Sequence, residues 1–552
     1  MKKLLLLFVI FSVFASFAQT KVDDELIQRT EEWFKNNPES MPHWLTPEEL
    51  ERLDDIGKDF VSTSPPVGPV RQTAEFERMQ GVLVRYPFGV PVDFITQLSE
   101  VTDVYTICTS TQKKTVVNTY IAAGIDTSKC EFLLEPSDSY WTRDYGPWYV
   151  VNGNDEVGVC DFMYNRPRAN DDAIPSAMAP FLGEPYYGMS VVHTGGNYMT
   201  DGMGVGASTT IVYEESYSTL GISEAEVDQR MQDYLGIHTY HVLQDPNNTY
   251  IDHIDCWGKF LDVDKILIRS VPTSHAQYDE IEATVDYFEA QTSSYGGPYE
   301  IYRVYTPNDE PFTNSLILND HVFVPIMGGS NDAAAIAVYQ NAMPGYTVVG
   351  VTGLPYPNEW ESTDALHCRA RGVIDKEMLH IYHIADPSDR TSSEDYTISA
   401  NMVSYGENTI TSAVLYYKVD TGNWNSIPMT LSKAQYTATI PAQATGSEVS
   451  YYIHAEDNSG RSENHPFIGS ADPHKFSVIQ GETLQSPGNI RTSISSSDLI
   501  IDWDDSSGAT SYDVYSSDDP YGAFSFEANV TVSQFTVAYT ETKKFYYVVA
   551  KN

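Results

Sequence analysis

Four short stretches of the sequence carry side chains whose types could do chemistry. They are WTRDYGPW with Asp144, DHIDCWGKF with His253 and Asp255, PFTNSLILN with Asn314, and DALHC with Cys368. A thiolate can attack a planar carbon while a histidine moves protons and carboxylates hold a cation. Carboxylates accept the N–H groups of a guanidinium in parallel pairs, which fixes its plane. Together these residues suit nucleophilic attack on a guanidino carbon.

Two cysteines compete for the role of nucleophile. If residues 249–260 form a strand, Cys256 points away from Asp255, because successive side chains of a strand face opposite sides. Cys368 follows a turn-like segment and precedes two arginines. A cysteine is mostly protonated at pH 7, so it needs a positive neighbour or a cationic substrate to react as a thiolate. We therefore predict that Cys368 is the nucleophile.

The same residues do not complete a metal site or a nucleotide site. His253, Asp255 and Cys256 are of types that bind zinc, but no Cys-x-x-Cys or His-x-x-x-His pair accompanies them. Neither a G-x-G-x-x-G nor a G-x-x-x-x-G-K-[ST] motif occurs in the chain. We therefore expect no metal and no cofactor.

The charge balance narrows the class of partner. The 552 residues contain 33 Lys and Arg against 76 Asp and Glu, a net charge of −43. This excess argues against nucleic acid or an anionic membrane surface as a partner. It would favour cationic ligands, but solubility or a salty habitat is the more ordinary explanation of the charge.

Within this acidic chain, Arg166 and Arg168 stand on either side of Pro167. A proline pushes the preceding residue towards an extended conformation, in which residues two apart face the same side. The two guanidinium groups would then point at one place, where they could hold a carboxylate of a ligand. The alternative is that they pair with the nearby Asp171 and Asp172.

The elements that must position these residues change in character along the chain. From about residue 70 to 382, short apolar strands such as GVLVRYPF and SLILNDHVFVPI alternate with helical patterns, which predicts an α/β domain. Residues 394–480 alternate in strand fashion only and predict a small β-sandwich. A further β-module follows, with Trp503 and Tyr512 as expected core residues.

The N-terminus predicts export. Two lysines precede a short apolar run with small residues at Ser16 and Ala18, as in a secretory signal peptide cleaved after Ala18. Thr46-Pro47-Glu48-Glu49 has the pattern of a helix start with a capping box, and Leu50, Leu53 and Ile56 would share one face of that helix. We expect this extension to have no chemistry of its own. No later run reaches about 18 apolar residues, so no transmembrane segment is expected.

The motifs occur in the order found in the guanidino-group-modifying superfamily. WTRDYGPW, TGGNYMTDG, DHIDCWGKF, PFTNSLILN and DALHC resemble those of the secreted bacterial peptidylarginine deiminases, with the agmatine deiminases as the next relatives. The similarity covers roughly residues 66–385 and the β-sandwich after them. It implies a five-bladed α/β-propeller, or pentein, catalytic domain with the site at its centre. The modules that follow resemble immunoglobulin-like and fibronectin type III-like sandwiches.

The resemblance also implies a role for each site residue. Cys368 would be the nucleophile, His253 the general acid and base, Asp144 and Asp255 the guanidinium-binding pair, and Asn314 a polar residue of the active site. The positions expected to line the substrate are Trp141, Tyr250 and Thr363. The bacterial family is thought to act without a metal.

The motifs resemble two kinds of deiminase that act on different substrates. Gly146-Pro147 resembles agmatine deiminase, whereas the residues before His367-Cys368 resemble the peptide enzyme. In that enzyme, the arginines of a segment like YNRPR bind the free carboxylate of a C-terminal arginine, so Arg166 and Arg168 would decide the substrate. We expect a secreted or cell-surface deiminase that converts peptidyl arginine, preferentially C-terminal, to citrulline and ammonia through a covalent thiouronium. The alternatives are a deiminase of agmatine or another small guanidino compound, an amidinotransferase, and a non-catalytic surface binding protein.

These expectations give five segments. They are a signal peptide (1–18), a helical extension with a linker (19–65), the catalytic domain (66–385), an immunoglobulin-like sandwich (386–482) and a fibronectin type III-like domain (483–552).

Overall fold

A computed structural model describes residues 22–480, 485–540 and 543–551 of the chain. The predicted signal peptide lies outside these residues. The chain divides into two compact units: the larger contains residues up to 388 with 397–440 and 448–476, and the smaller contains 389–396, 441–447 and 477–552. Among the described residues, no helix is long and apolar enough to cross a membrane.

The helices lie almost entirely upstream of the β-rich C-terminal part. In chain order they are α1 Asp24–Asn36, α2 Pro47–Leu50, α3 Val92–Val101, α4 Lys113–Ala123, α5 Ala169–Asp172, α6 Ile174–Leu182, α7 Ile211–Leu220, α8 Glu224–Leu235, α9 Tyr278–Glu289, α10 Asp332–Ala342 and α11 Leu366–Arg369.

The first eighteen strands belong to the larger unit. They are β1 Arg71–Gln72, β2 Met79–Arg85, β3 Asp103–Ile107, β4 Cys130–Leu133, β5 Trp148–Val151, β6 Val157–Tyr164, β7 Tyr186–His193, β8 Met199–Thr200, β9 Val205–Thr209, β10 Thr239–Leu243, β11 Gly258–Asp262, β12 Lys265–Ser270, β13 Glu300–Tyr305, β14 Leu316–Leu318, β15 His321–Ile326, β16 Thr347–Thr352, β17 Arg371–Ile374 and β18 Leu379–Tyr382.

One structural unit recurs in the sheets formed by β1 to β17. An antiparallel pair of strands is followed by one or two helices and then by a parallel strand, because parallel neighbours need a crossover connection. The pairs β5–β6, β8–β9, β11–β12 and β14–β15 are antiparallel, and β7, β10, β13 and β16 add parallel strands. In the remaining sheet, β17 pairs antiparallel with β2. Strand β3 pairs parallel with β2, and β4 pairs parallel with β3.

Five small sheets thus form the α/β part of the chain, with strand orders β1-β5-β6-β7, β10-β9-β8, β11-β12-β13, β14-β15-β16 and β17-β2-β3-β4. Their central strands are largely buried, as in Ile266–Ile268 of β12 and Val322–Val324 of β15. Strands covered by helices in this way have continuous apolar sequences, which explains the pattern in the sequence. The α/β prediction is confirmed, and the arrangement of the sheets as blades of a propeller stays a prediction.

The remaining strands form the C-terminal part. They are β19 Arg390–Thr391, β20 Tyr396–Ser404, β21 Ile410–Val419, β22 Asn425–Pro428, β23 Thr430–Ser432, β24 Gln435–Ile440, β25 Glu448–Asp457, β26 Ser462–His465, β27 His474–Ile479, β28 Gly488–Ser495, β29 Asp498–Asp504, β30 Ser511–Ser517, β31 Ser525–Val530, β32 Gln534–Ala538 and β33 Phe545–Lys551.

These strands form β-sheets in both units, as the alternating sequence predicts. The larger unit contains β18-β20-β24-β23 and the antiparallel ladder β25-β21-β22, and the smaller contains β28-β29-β32 and β31-β30-β33. Trp503 and Tyr512 are buried in the core of the smaller unit, with their rings 5.3 Å apart. The boundaries predicted at residues 385 and 482 stay predictions.

The structure corrects two local expectations. The capping box at Thr46 and Glu49 is present, but α2 ends at Leu50, and residues 53–55 form a separate 3₁₀ turn. The predicted helix from Pro47 to Ile56 is therefore wrong. Residues 254–256 form a 3₁₀ turn rather than a strand, so the alternation argument used for Cys256 does not apply.

Candidate active site

The predicted catalytic residues come from the same position in successive sheets. Asp144 lies shortly before β5, Asp255 shortly before β11, Asn314 before β14 and Cys368 before β17. The corresponding connection before β8 is the 3₁₀ turn Gly195–Asn197. Because each residue precedes a strand that pairs antiparallel with another strand of its sheet, the recurring unit brings these connections together.

The 3₁₀ turn Gly195–Asn197 lies close to three of the predicted site residues. A Cβ atom added to Gly196 would come within 2.6 Å of Oδ1 of Asp144, 2.7 Å of Nδ1 of His253 and 3.3 Å of Oδ2 of Asp255. The same Nδ1 and Oδ1 atoms are 3.8 Å apart. Two carboxylates and one imidazole therefore surround a single small volume.

Cys368 lies beside this volume in the short helix α11. Its Sγ atom is 3.3 Å from Nδ2 of Asn314 and 3.7 Å from Oδ2 of Asp255. Oδ1 of Asn314 accepts a hydrogen bond from the backbone N–H of His367 at 2.9 Å, which fixes the turn that carries the thiol. Cys256 contacts the other carboxylate oxygen of Asp255, at 3.6 Å.

Burial sets the protonation states of Cys368 and His253. It raises the pKa of Cys368 well above its usual value, and the charges of Asp255 and Asp144 raise it further. Burial also lowers the pKa of His253 to about 3. The resting pair is therefore a neutral thiol and a neutral imidazole. Arg369 does not activate the thiol, since its guanidinium is bound by Asp364.

The pKa values of Asp144 and Asp255 are shifted in opposite directions. Burial and the charge of Asp255 raise the pKa of Asp144 well above its usual value. Burial acts in the same direction on Asp255, but the hydrogen bond and the charge of His367 outweigh it and lower the pKa. A cation bound between the two carboxylates would relieve their repulsion and hold both in the ionised form.

Several buried polar atoms at this place have no hydrogen-bond partner among the described residues. They are Oδ1 of Asp144, both ring nitrogens of His253 and Nε1 of Trp141. An unpaired buried polar group costs about 1–3 kcal/mol, so a cluster of them marks a position where the polar atoms of a ligand belong. The carboxylate oxygen of Asp144 and the unprotonated ring nitrogen of His253 can accept N–H groups of a guanidinium, whereas Nε1 of Trp141 can only donate.

Two further residues of the site were given no role from the sequence. Each ring nitrogen of His367 is 2.7 Å from a carboxylate oxygen, Nδ1 from Asp255 and Nε2 from Glu75. Glu75 also lies 3.1 Å from Nζ of Lys259. His367 lies in the DALHC motif next to the predicted nucleophile, whereas Glu75 lies in none of the motifs.

Arg166 and Arg168 do not adopt the expected extended geometry. The N–H of Arg168 donates to the carbonyl of Arg166 at 2.8 Å, so the chain turns between them. Neither Asp171 nor Asp172 holds Arg168. Its Nε atom donates to Glu49 at 2.6 Å, and its Nη2 atom donates to the carbonyl of Pro42. The extended geometry is therefore not found. Burial raises the pKa of Glu49, but the charges of Arg168 and Arg166 both act on its carboxylate and lower that pKa.

Arg166 remains close to the site. It is buried and has no ion pair within 4.0 Å in the part of the chain that the structure describes. Its Nη1 atom donates to the carbonyl of Asn165 at 3.1 Å. Its charge also lowers the pKa of Asp144, in opposition to burial. Arg166 is a buried cation that a ligand could neutralise.

The N-terminal part of the chain contacts some of the residues expected to line the substrate. Trp141 is fully buried and shares an apolar cluster with Cys368, and Thr363 is buried. The hydroxyl of Tyr250 is 2.5 Å from Nδ1 of His43. The extension, expected to have no chemistry of its own, thus contacts the mouth of the site.

No three histidine, cysteine, aspartate or glutamate side chains among the described residues form a group that could hold a metal ion. The catalytic and binding roles of the site residues stay predictions, now with a geometry that brings Cys368, His253, Asp144, Asp255 and Asn314 together.

Comparisons with known proteins agree with this chemistry. The chain is 25% identical over 254 residues to a putative agmatine deiminase of Yersinia pseudotuberculosis, covering 39% of this chain and 70% of that protein. It is 25% identical over 261 residues to a putative agmatine deiminase of Vibrio parahaemolyticus, covering 39% and 71%. An X-ray structure of a putative agmatine deiminase superposes with a TM-score of 0.51 at 18% identity, over 57% of this chain and 99% of that chain, which shows a shared fold.

A family model adds the decisive observation. The model described as Porphyromonas-type peptidyl-arginine deiminase matches residues 72–370, which is more than half of the chain. That range holds every residue that surrounds the volume beside Gly196, and the enzymes of the family are hydrolases that break carbon–nitrogen bonds of guanidino groups. The chain therefore belongs to the Porphyromonas-type peptidyl-arginine deiminase family.

Proposed function

We propose that this protein is an exported deiminase that converts the C-terminal arginine of peptides or proteins to citrulline and ammonia. The observation that carries the proposal is the group of unpaired buried atoms on Asp144 and His253, with the unpaired cation Arg166 beside them. The two anions suit the guanidinium end of an arginine, and the cation suits its carboxylate end.

Binding of the substrate prepares the thiol. Asp144 and Asp255 accept the N–H groups of the guanidinium, whose positive charge lowers the pKa of the buried Cys368. His253 then takes the proton of the thiol, which leaves a thiolate and an imidazolium. The pair is neutral before the substrate binds, so substrate charge switches on the nucleophile.

The reaction then proceeds in two halves. Sγ of Cys368 forms a bond to the guanidino carbon, His253 returns its proton to one amino group, and the carbon–nitrogen bond breaks to release ammonia. Water next gives a proton to His253 and its oxygen attacks the thiouronium carbon. The carbon–sulfur bond breaks, His253 protonates the departing sulfur, the hydroxyl proton of the intermediate passes to water and converts ammonia to ammonium, and citrulline leaves.

A second candidate is a deiminase of agmatine or another small guanidino compound. One observation favours it: Arg168, the partner of Arg166 in the proposed carboxylate site, is bound by Glu49. Agmatine has no carboxylate and needs neither arginine. Gly146-Pro147 of the sequence also resembles agmatine deiminase.

Export is proposed from the N-terminal sequence. Lys2 and Lys3 followed by an apolar run and small residues are typical of a secretory signal peptide. Amino-terminal sequencing of the protein recovered from the culture medium or cell surface tests this, and a mature chain that retains Lys2 contradicts it.

One experiment separates the substrates. Citrulline is measured from a peptide ending in arginine, from the same peptide with an amidated C-terminus, and from agmatine, with wild type, Cys368→Ala and Arg166→Ala. We expect the free acid to be preferred, Cys368→Ala to be inactive, and Arg166→Ala to lose about 30- to 1,000-fold in kcat/KM on the free acid only, as for removal of one partner of a buried charge pair.

The exposed Arg491→Ala is the matched control and should keep wild-type kinetics. Equal kcat/KM for the free and amidated peptides rejects recognition of the carboxylate, and a higher value for agmatine favours the second candidate. Citrulline formed by Cys368→Ala rejects the nucleophile.

A further inference from the structure

The N-terminal segment, defined here as residues 24–60, covers the candidate site. Leu26, Trp33 and Trp44 pack in one apolar cluster with Trp141 and Cys368. Cys368 is only 2% exposed and Trp141 is 0% exposed. A peptide cannot reach a thiol buried to this degree unless the cover moves.

The segment binds polar atoms of the site as well as its apolar surface. Glu49 is 2% exposed and Arg168 is 3% exposed, and their carboxylate and guanidinium are 2.6 Å apart. Burial raises the pKa of Glu49, but the charge of Arg168 and its hydrogen bond outweigh burial and lower it. The carboxylate is therefore ionised, as a substrate carboxylate would be.

A second contact involves the residues expected to line the substrate. Nδ1 of His43 is 2.5 Å from the hydroxyl of Tyr250, and the rings of His43 and Trp141 are 5.6 Å apart. The guanidinium of Arg29 lies 3.9 Å from the centre of the Trp44 ring and 5.6 Å from that of Tyr250. The segment thus occupies the predicted substrate positions at Arg168, Tyr250 and Trp141 together.

We propose that the N-terminal segment is an internal competitor of the substrate and that Glu49 makes the competing contact. Glu49 takes the place of the substrate carboxylate on Arg168, and a C-terminal arginine enters when the segment leaves. This inference rests on the proposed function for the identity of the substrate. It assigns to Arg168 a second carboxylate ligand, which the docked structure hides.

The attachment of the segment permits such a movement. Beyond residue 60 the chain is held on the larger unit: N–H of Thr63 donates to the carbonyl of Gly188 at 3.1 Å, and N–H of Gly153 donates to that of Val67 at 2.6 Å. The side chain of Lys58, just before this linker, is 68% exposed. The segment can therefore separate near Lys58 while the linker stays in place.

The first test is Glu49→Gln in the full chain. Glutamine keeps the capping box of α2, because it can accept the same N–H of Thr46, but it removes the charge. Arg168 then stays buried without a counterion only while the segment is docked, so the docked state loses stability. Glu48→Gln, an exposed neighbour in the same helix, is the matched control.

Two quantities are measured. The rate at which iodoacetamide alkylates Cys368, read by mass spectrometry of the peptide that contains it, reports access without any substrate. The kcat/KM for a peptide ending in arginine reports entry of the substrate. We expect both to rise about 10- to 100-fold in Glu49→Gln, as one partner of a buried ion pair is lost, and to stay unchanged in Glu48→Gln.

A second variant guards against misfolding of the first. A recognition sequence for a site-specific protease is inserted after Lys58, and the folded full chain is cut. Cutting should raise the alkylation rate, and a synthetic peptide of residues 38–52 should lower it again, whereas the same peptide with Glu49→Gln should not.

The outcomes separate the two proposals. Rates that are unchanged or lower in Glu49→Gln, and no effect of cutting, overturn the internal competitor and make the segment a fixed wall of the site. Faster alkylation without any turnover of the free-acid peptide supports the competitor and rejects the proposed substrate.

Discussion

His367 contacts a carboxylate through each of its ring nitrogens, Asp255 on one side and Glu75 on the other. A neutral imidazole donates from one nitrogen only, so two carboxylates at this distance require a second proton on the ring. Burial and the charges of Arg143 and Lys259 lower the pKa of His367 overall, although Glu75 and Asp255 act in the opposite direction. We infer from the two short contacts that the ring is an imidazolium despite this direction. His367 is then a positioning residue that holds Asp255 towards the substrate.

Glu75→Gln tests this at the residue scale. The amide can donate to Nε2, so the ring needs only one proton and loses its charge. We expect kcat to fall about 10- to 100-fold with little change in KM, in line with the loss of an outer partner of an active-site group. The ¹⁵N chemical shifts of His367 should change from imidazolium to neutral imidazole.

The exposed Glu131→Gln provides the matched control and should change neither kcat nor the shifts. Neutral shifts for His367 already in the wild type would contradict the imidazolium.

At the scale of elements, the site depends on short connections that begin each sheet. Asp144, Asp255, Asn314 and Cys368 all precede a strand of an antiparallel pair. The equivalent connection before β8 contributes backbone rather than a side chain, and Gly196 lies where the others converge. Its lack of a Cβ atom leaves the space in which the guanidinium would be held.

Gly196→Ala tests the role of this turn. The methyl group would come 2.6 Å from Oδ1 of Asp144 and 2.7 Å from Nδ1 of His253, so one of them must move. A displacement of this size in a catalytic pair should cost about 100-fold in kcat/KM. Gly329→Ala is the control, since nothing lies within 4 Å of the added carbon. Wild-type kinetics in Gly196→Ala would show that the site is looser than the structure indicates.

At the scale of the whole molecule, buried histidines link stability to pH. His193 is 1% exposed, and burial lowers its pKa from 6.5 to about 3. The folded state keeps this ring neutral below pH 6.5, whereas the unfolded state binds a proton there. The contribution of His193 to stability is therefore complete above pH 6.5 and is lost progressively as the pH falls from 6.5 towards 3.

His193→Gln removes the titrating group. Between pH 8 and pH 5, its free energy of unfolding should gain about 2 kcal/mol relative to the wild type, from 1.5 pH units at about 1.4 kcal/mol each. Urea unfolding at the two pH values measures the difference. The exposed Gln232→Ala removes no titrating group and should show a constant difference from the wild type. A constant difference for His193→Gln as well would contradict the lowered pKa.

The sequence by itself determined the chemistry and the class of fold. Residue types with strict requirements, a thiol, a histidine and two aspartates, stood in apolar strand-like sequence, and the alternation of strands and helices predicted the α/β part. Strand propensity and the period of apolar residues are local properties, so they can be read without the tertiary structure. The capping box at Thr46 was correct for the same reason.

Only the tertiary structure decided which buried charged side chains pair with each other. Arg168 was expected to hold a ligand carboxylate together with Arg166. In the structure it binds Glu49, which lies 119 residues away in the chain. Glu75 and His367 are 292 residues apart and share one hydrogen bond. Such pairs form because folding removes both partners from water together, and a buried charge must then find a counterion wherever the chain supplies one. No local pattern encodes that choice.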